Sequence, residues 1–177
     1  MVKNLFAWAS IGSNGKVVDD LAGDQNGKEV KIGEYYNFGQ KWVIRFRSKK
    51  RGQKAAAATK MLVRNNNIGY NQNNRKSLYN QCELIGWDID RIYQIKPCDC
   101  DCSLLAVCAI NFAYGKSLLP YALTTYSLPT IVEKHKTKFK RADKSIKTLK
   151  FHKGDMVGKS GHVIIKTTAS HYIINVN

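Results

Sequence analysis

The sequence predicts an α+β fold in one domain, and three observations support that prediction. Residues 53–64 are rich in alanine, residues 104–112 are almost entirely apolar, and residues 42–47 alternate between apolar and polar side chains. The two runs are typical of helices and the alternation is typical of a half-buried strand. With 177 residues, of which 44% are hydrophobic and 24% charged, the chain can bury a sizeable core and is not of the disordered class.

In chain order, the predicted elements place helices at the front and in the middle and strands at the back. We predict strands at 28–32 and 42–47, helices at 53–64, 74–85, 103–115 and 118–128, and a hairpin of 162–167 with 172–176. Gly86 follows the second helix and Pro129 follows the fourth, as expected for residues that end helices. The expected fold therefore has a helical N-terminal half, a central helix and a C-terminal antiparallel sheet.

The charge is the outlying property of the chain. Lysine and arginine number 29 against 13 acidic residues, which gives a formal net charge of +16. Such a surface attracts polyanions, which include nucleic acid, anionic membranes and the acidic polymers of a bacterial wall. Nine of these cations lie between Lys134 and Lys153; such a run is usually a solvated face, but it could also hold the protein on anionic wall polymers. The usual nucleic-acid-binding motifs are not visible, so nucleic acid is not expected as an obligate partner.

No apolar run is long enough to cross a membrane, and the first nine residues lack the apolar region of a signal peptide. We therefore expect a protein made in the cytoplasm that reaches any external target after release or delivery.

Five cysteines are present, and Cys98, Cys100 and Cys102 alternate over five positions. Alternating neighbours are poorly placed to bridge one another, so a disulfide framework is disfavoured. Together with His162 these three thiols would number four zinc ligands, but the spacing is not that of structural zinc sites. We predict neither a metal nor a cofactor, and the roles of Cys98 and Cys100 stay open between accidental and redox-sensitive thiols.

Cys102 is placed where a polar segment becomes the central apolar helix. The unpaired N–H groups and the dipole at a helix start favour a thiolate, and Asp101 or Ser103 can cap the first turn. His162 opens an apolar strand sixty residues later. A cysteine at a helix start and a histidine at a strand start indicate nucleophilic catalysis, although a cysteine alone is more often a buried small hydrophobe.

Two short motifs resemble those of a known group of enzymes. Asp101-Cys102-Ser103 before an apolar helix, then Leu149, Gly154-Asp155 and Gly161-His162-Val163, resemble the motifs of NlpC-like and CHAP-like peptidoglycan hydrolases. In the front half, the stretches Gly23–Val30 and Asn65–Gln72 resemble small phage lysins of this class. The resemblance implies a papain-like fold and a single catalytic domain over 1–177, with an N-terminal portion at 1–97 and a catalytic core at 98–177.

The resemblance also implies catalytic roles. Cys102 would be the nucleophile, His162 the base, and a polar residue on the following strand would orient the imidazole. In the predicted hairpin, residue 162 faces residue 175, which favours Asn175; a shifted register would offer His171 or Asn177 instead.

Candidate substrate-binding residues are Asp101, Ser103, Tyr36, Trp42 and Gln25. For the two aromatic residues a place in the core is the default, and for Gln25 a role in folding its loop is an equal alternative.

The predicted function is hydrolysis of an amide bond in bacterial peptidoglycan, by a monomeric amidase or endopeptidase like those of phage lysins. The alternatives are a basic nucleic-acid-binding module and a papain-like protease or toxin that acts on another amide.

Overall fold

A six-stranded antiparallel sheet forms the centre of the computed structural model, which describes residues 4–10, 21–24, 27–142, 150–169 and 171–172. The strands are β1 (Leu5–Ala9), β2 (Val30–Glu34), β3 (Trp42–Phe46), β4 (Ile68–Tyr70), β5 (Cys98–Cys100), β6 (Phe139–Arg141), β7 (Lys150–Phe151), β8 (Met156–Lys159), β9 (His162–Lys166) and β10 (His171–Tyr172). The order in the main sheet is β2-β1-β9-β8-β3-β6, while β4 pairs with β5 and β7 with β10. The predicted α+β class is confirmed.

The helices are α1 (Lys49–Leu62), α2 (Lys76–Leu84), α3 (Cys102–Tyr114) and α4 (Ile131–Lys134), with 3₁₀ turns at Ile89–Gln94 and Leu128–Thr130. The helices predicted at 53–64, 74–85 and 103–115 are confirmed. None of the described helices is long and apolar enough to span a membrane.

The helix predicted at 118–128 is wrong, because α3 binds the backbone of that segment. The Asn111 side chain accepts hydrogen bonds from the N–H groups of Leu118 and Leu119 and donates one to the Leu119 carbonyl. The backbone N–H and C=O groups at the start of the segment are therefore hydrogen-bonded to the buried Asn111 amide of α3 and not to one another. The segment forms turns and not a helix.

The predicted division into a helical front and a C-terminal sheet is also wrong. The first half of the chain supplies β1, β2 and β3, and β9 lies between β1 and β8. The predicted hairpin of 162–167 with 172–176 does not form over the described residues: His162 pairs with Lys159, whereas His171 pairs with Phe151 in a separate two-stranded sheet.

The main sheet is covered on both faces. On one face α1 and α3 pack against side chains such as Ile44, Met156 and Val163. On the other face Phe6, Trp8 and Phe151 belong to a second, smaller cluster. Helix α3 is buried along its whole length except at its last residue, as expected for a helix that is apolar on every side.

The polar segment before α3 contains a strand, because residues 98–100 form β5, which runs parallel to β4. Asp99 is buried in this strand, where its carboxylate accepts hydrogen bonds from the Gly23 N–H at 3.1 Å and the Asn74 amide at 2.7 Å. A buried carboxylate is tolerated when its oxygens are bonded in this way. The parallel pair brings the polar stretch directly to the start of α3.

Candidate active site

Cys102 is the first residue of α3, and the preceding Asp101 is the helix cap. The Asp101 carboxylate accepts hydrogen bonds from the Leu104 N–H at 2.7 Å and from the Ser103 hydroxyl at 2.8 Å. This arrangement satisfies one of the unpaired N–H groups at the helix start. The predicted position of the cysteine at the head of the central helix is confirmed.

The backbone N–H groups of Val163 on β9, of Ser103 and of Cys102 itself act to lower the pKa of the Cys102 thiol and so favour the thiolate. Burial and the negative charge of Asp101 act more strongly in the opposite direction and raise the pKa of the thiol to about 11. The N–H groups at the helix start therefore favour the thiolate as expected, but burial and the charge of Asp101 outweigh them in the resting protein. The sulfur is a protonated thiol at neutral pH.

His162 is half-buried at the first position of β9, with its ring held by aromatic residues. Its Nε2 lies 2.8 Å from the Tyr36 hydroxyl, and its ring meets Phe38 edge-on at 5.1 Å between centroids. Burial, and then the nearby charge of Lys159, lower the pKa of the imidazole from its ordinary value. His162 is therefore a neutral base at neutral pH.

The beginning of β9 connects the two residues. The Val163 N–H acts on the Cys102 sulfur to lower the pKa of the thiol, and Val163 follows His162 directly in the chain. The sulfur belongs to the helix-covered face of the sheet, whereas His162 contacts Tyr36 and Phe38 on the aromatic face. Burial, and then the charge that Cys102 would carry as a thiolate, raise the pKa of Tyr36. Tyr36 therefore contacts the imidazole and also lies near enough to the sulfur to be affected by its charge.

A second phenol near the sulfur was missed in the sequence. Tyr70 on β4 is 5% exposed, and burial followed by the charge of Cys102 raises its pKa to about 12. Its backbone N–H donates to the Glu29 carboxylate at 2.8 Å. The Asp24 carboxylate in turn accepts from the backbone of residues 28–30 and so fixes the turn that presents Glu29.

This network gives the front motif Gly23–Val30 a physical role, because its two acids position the strand that carries Tyr70. Asp24 and Glu29 of this motif therefore have a structural role. Tyr70 lies in the second lysin-like stretch, so the sequence motif did contain it. Its contact with Glu29 in the first stretch was not predictable, because the two residues are 41 positions apart.

Arg75 is another residue that the sequence did not single out. Its Nε lies 3.0 Å from the Asp101 carboxylate, and its Nη2 donates to the carbonyls of Tyr121 and Leu123. The ion pair is largely removed from solvent, with 18% of the Arg75 side chain and 11% of the Asp101 side chain exposed. Arg75 therefore ties the helix cap to the loop after α3.

The other predicted substrate-binding residues have structural partners. Ser103 is 2% exposed and bonded to Asp101, and Trp42 is 5% exposed. The Trp42 ring packs on Gly158, where an added Cβ would come within 2.3 Å of it. Trp42 thus has the core position that was the default expectation, while Tyr36 is exposed at 41% and lies at His162.

Several predictions fall outside the described residues, namely those for Gln25, Leu149, Asn175 and Asn177. The pairing argument that favoured Asn175 does not hold, because β9 has β1 and β8 as neighbours. The backbone of His171 pairs with Phe151 and not with the strand of His162.

All five cysteines are free and buried. Cys98 and Cys100 lie on β5, and burial is the largest cause that raises the pKa of each thiol. Within the described ranges, no three histidine, cysteine or acidic side chains are grouped so that they could hold a metal ion.

The fold and the site define an α+β protein whose helix-start cysteine lies against the strand that a histidine begins. The sequence model of the endolysin-like domain matches residues 6–177, so the chain belongs to the endolysin-like domain family. This membership is consistent with cell-wall hydrolysis in general. Searches of curated proteins and of solved structures gave no significant match.

Proposed function

We propose that this protein is a cysteine hydrolase of papain-like type that cleaves an amide bond in bacterial peptidoglycan. The observation that carries the proposal is the position of Cys102 at the start of α3, packed against the strand that His162 begins, in a chain of the endolysin-like family. A buried thiol at the start of α3 and an imidazole at the start of β9, the strand packed against that helix, are the components of a nucleophile and its base.

The reaction begins with a thiol and not with a thiolate. As Cys102 attacks the amide carbonyl, His162 accepts the thiol proton, and the resulting imidazolium protonates the departing amine. Water then hydrolyses the thioester, with His162 again acting as base. The N–H groups of Cys102 and Ser103, at the start of α3, stabilise the oxyanion.

Tyr36 is the positioning residue in this scheme. Its hydroxyl contacts Nε2 of His162 at 2.8 Å, which leaves Nδ1 for the reaction. We assign to Tyr36 the orienting role that the family pattern had suggested for Asn175. The substitution Tyr36→Phe should lower kcat/KM about tenfold and move the pH limb set by His162, with little change in thermal stability. An unchanged pH profile would show that Tyr36 serves packing alone.

The decisive experiment compares two cysteine variants on purified cell walls. Cys102→Ala should clear the walls on the order of 10³-fold more slowly than the wild-type protein, since it lacks the nucleophile. Cys108→Ala is the matched control, because Cys108 is buried on the same helix and has no part in the chemistry. Clearing that survives in Cys102→Ala would exclude the cysteine mechanism.

The products identify the bond. Mass spectrometry of the released fragments separates an amidase, which frees the intact stem peptide from the glycan, from an endopeptidase, which cuts within the peptide. Parallel incubation with casein tests the alternative of a protease on a protein substrate, and cleavage of casein in place of walls would reject peptidoglycan as the substrate.

A further inference from the structure

A basic cavity of about 590 Å³ lies away from Cys102 and His162 and takes no part in the proposed reaction. Six lysine and arginine side chains and one carboxylate are in its lining: Arg45, Arg47, Lys49, Lys140, Lys150, Lys153 and Asp155. These residues come from separate parts of the chain: β3, the first turn of α1, β6 and the loop before β8. The fold brings their charges together, although they are not neighbours in the sequence.

The cavity lies at the opposite end of α3 from the cysteine. Arg51, in the first turn of α1, donates to the carbonyl of Ala113 in the last turn of α3. Helix α3 has 13 residues, which corresponds to roughly 20 Å. A molecule bound in the cavity would therefore lie away from Cys102.

Close backbone packing builds the cavity wall. A Cβ added at Gly52 would lie 2.6 Å from the carbonyl oxygen of Lys153, and one added at Gly154 would lie 2.4 Å from that of Gly52. Gly154 also has a φ of +85°, which favours glycine. These two glycines allow the Lys153 loop to lie directly on the start of α1, beside Lys49.

Asp155, the one carboxylate among the described residues of the lining, already has partners. Asp155 is 1% exposed; Arg45 donates to it at 2.6 and 2.9 Å, and the backbone N–H of His152 donates at 2.8 Å. These hydrogen bonds give a structural role to Asp155 of the Gly154-Asp155 motif.

Three exposed lysines of the lining, Lys49, Lys140 and Lys153, have no ion-pair partner within the described part of the chain. The first turn of α1 contains no acidic residue and adds the positive end of its dipole. At the rim, burial and then the charge of Arg45 lower the pKa of His152. Lys150 and Lys140 act in the same direction, whereas Asp155 raises this pKa. The cavity is thus strongly positive and open to an anion.

We propose that this cavity is a second binding site, which takes the phosphodiester groups of an anionic cell-wall polymer and so anchors the protein beside its substrate. The choice of a wall polymer rests on the proposed function. Nucleic acid has the same backbone chemistry, but single strands are held by aromatic stacking. Among the described residues of the lining, Phe46 is the only phenylalanine, tyrosine or tryptophan. It is 6% exposed and offers no surface on which a base could stack.

The test measures binding to a glycerol-phosphate oligomer of about six units by calorimetry, in the Cys102→Ala background. The pocket variant carries Lys49→Gln, Lys140→Gln and Lys153→Gln. The control variant removes equal charge from other exposed sites through Lys96→Gln, Lys116→Gln and Lys134→Gln. We expect the pocket variant to bind at least about tenfold more weakly and the control within about twofold, with steep salt dependence in the unmodified pocket.

A pocket variant with three arginines in place of the lysines should retain binding, which separates lost charge from lost folding. Equal weakening in the pocket and control variants would overturn the proposal, as would the absence of binding with the pocket intact. Tighter binding of a thymidine oligonucleotide with the same number of phosphates would overturn the choice of a wall polymer. Oligomer binding does not depend on hydrolysis, so this outcome is independent of whether Cys102→Ala abolishes wall clearing.

Discussion

The reactivity of Cys102 is a sharp prediction of the structure, because the pKa of its thiol is about 11 and not the ordinary 9.0. At pH 8 such a thiol is ionised to about one part in 10³, against about one part in ten for an ordinary thiol. In the absence of substrate, iodoacetamide should therefore modify Cys102 about a hundredfold more slowly than it modifies free cysteine. The rate should rise about tenfold per pH unit up to pH 10.

The substitution Asp101→Asn tests the cause of this pKa. The asparagine side chain keeps an oxygen that can cap Leu104, but it removes the negative charge that opposes the thiolate. We expect the alkylation rate at pH 8 to rise about tenfold, because about 1.4 kcal/mol of lost repulsion corresponds to one pKa unit. Mass spectrometry of the digested protein assigns the label to Cys102, which at 8% is the most exposed of the five cysteines.

The matched control is Asp88→Asn, which changes the cap of the 3₁₀ turn at Ile89–Gln94 and is remote from the sulfur. Its alkylation rate should equal that of the wild-type protein. Modification of wild-type Cys102 at the rate of free cysteine at pH 8 would refute the reasoning from burial. An unchanged rate in Asp101→Asn would refute the electrostatic role of Asp101.

Three further predictions concern stability, and each is checked by urea unfolding. Gly69→Ala should lower the unfolding free energy by about 1–3 kcal/mol, because the added Cβ would lie 2.5 Å from the backbone of Gly23; unchanged stability would contradict this close approach. Glu29→Gln should lower the unfolding free energy by about 1 kcal/mol, because the neutral amide accepts the Tyr70 N–H less strongly than the carboxylate does. A variant as stable as the wild-type protein would show that the charge is unimportant. Lys166 is fully buried, and burial lowers its pKa to about 8. Lys166→Met should therefore stabilise the protein at pH 7 by about 1–3 kcal/mol. The folded wild-type protein loses this proton before the unfolded chain does, so its stability rises between about pH 8 and 10.5 and the advantage of the variant should shrink there; an advantage that does not depend on pH would contradict the assignment.

The sequence was sufficient for features that depend on local pattern. The alanine run at 53–64 and the apolar run that begins after Cys102 specify α1 and α3 by propensity and burial alone. The position of Cys102 at a helix start follows from the same pattern, since Asp101 is a favoured cap residue.

The features that were missed depend on contacts between distant parts of the chain. The alternation of apolar and polar residues identifies β9 as a strand but does not determine which strands pair with it. The sequence therefore predicted pairing with the next strand along the chain, whereas β9 pairs with β1 and β8. The contact of Tyr36 with His162 spans 126 positions. The raised pKa of Cys102 required knowledge of its burial and of the direction of the Asp101 carboxylate, which a helix-start motif does not contain.

The place of β1 between β2 and β9 has a consequence for the order of folding. The hydroxyl of Thr167 donates to the carbonyl of Leu5 across 162 positions, so β1 cannot be enclosed in the sheet until the chain has been synthesised through Thr167. In the proposed mechanism, a growing chain that contains Cys102 but not yet His162 has no base. The order of synthesis would thus keep the proposed active site incomplete until β9 has emerged from the ribosome.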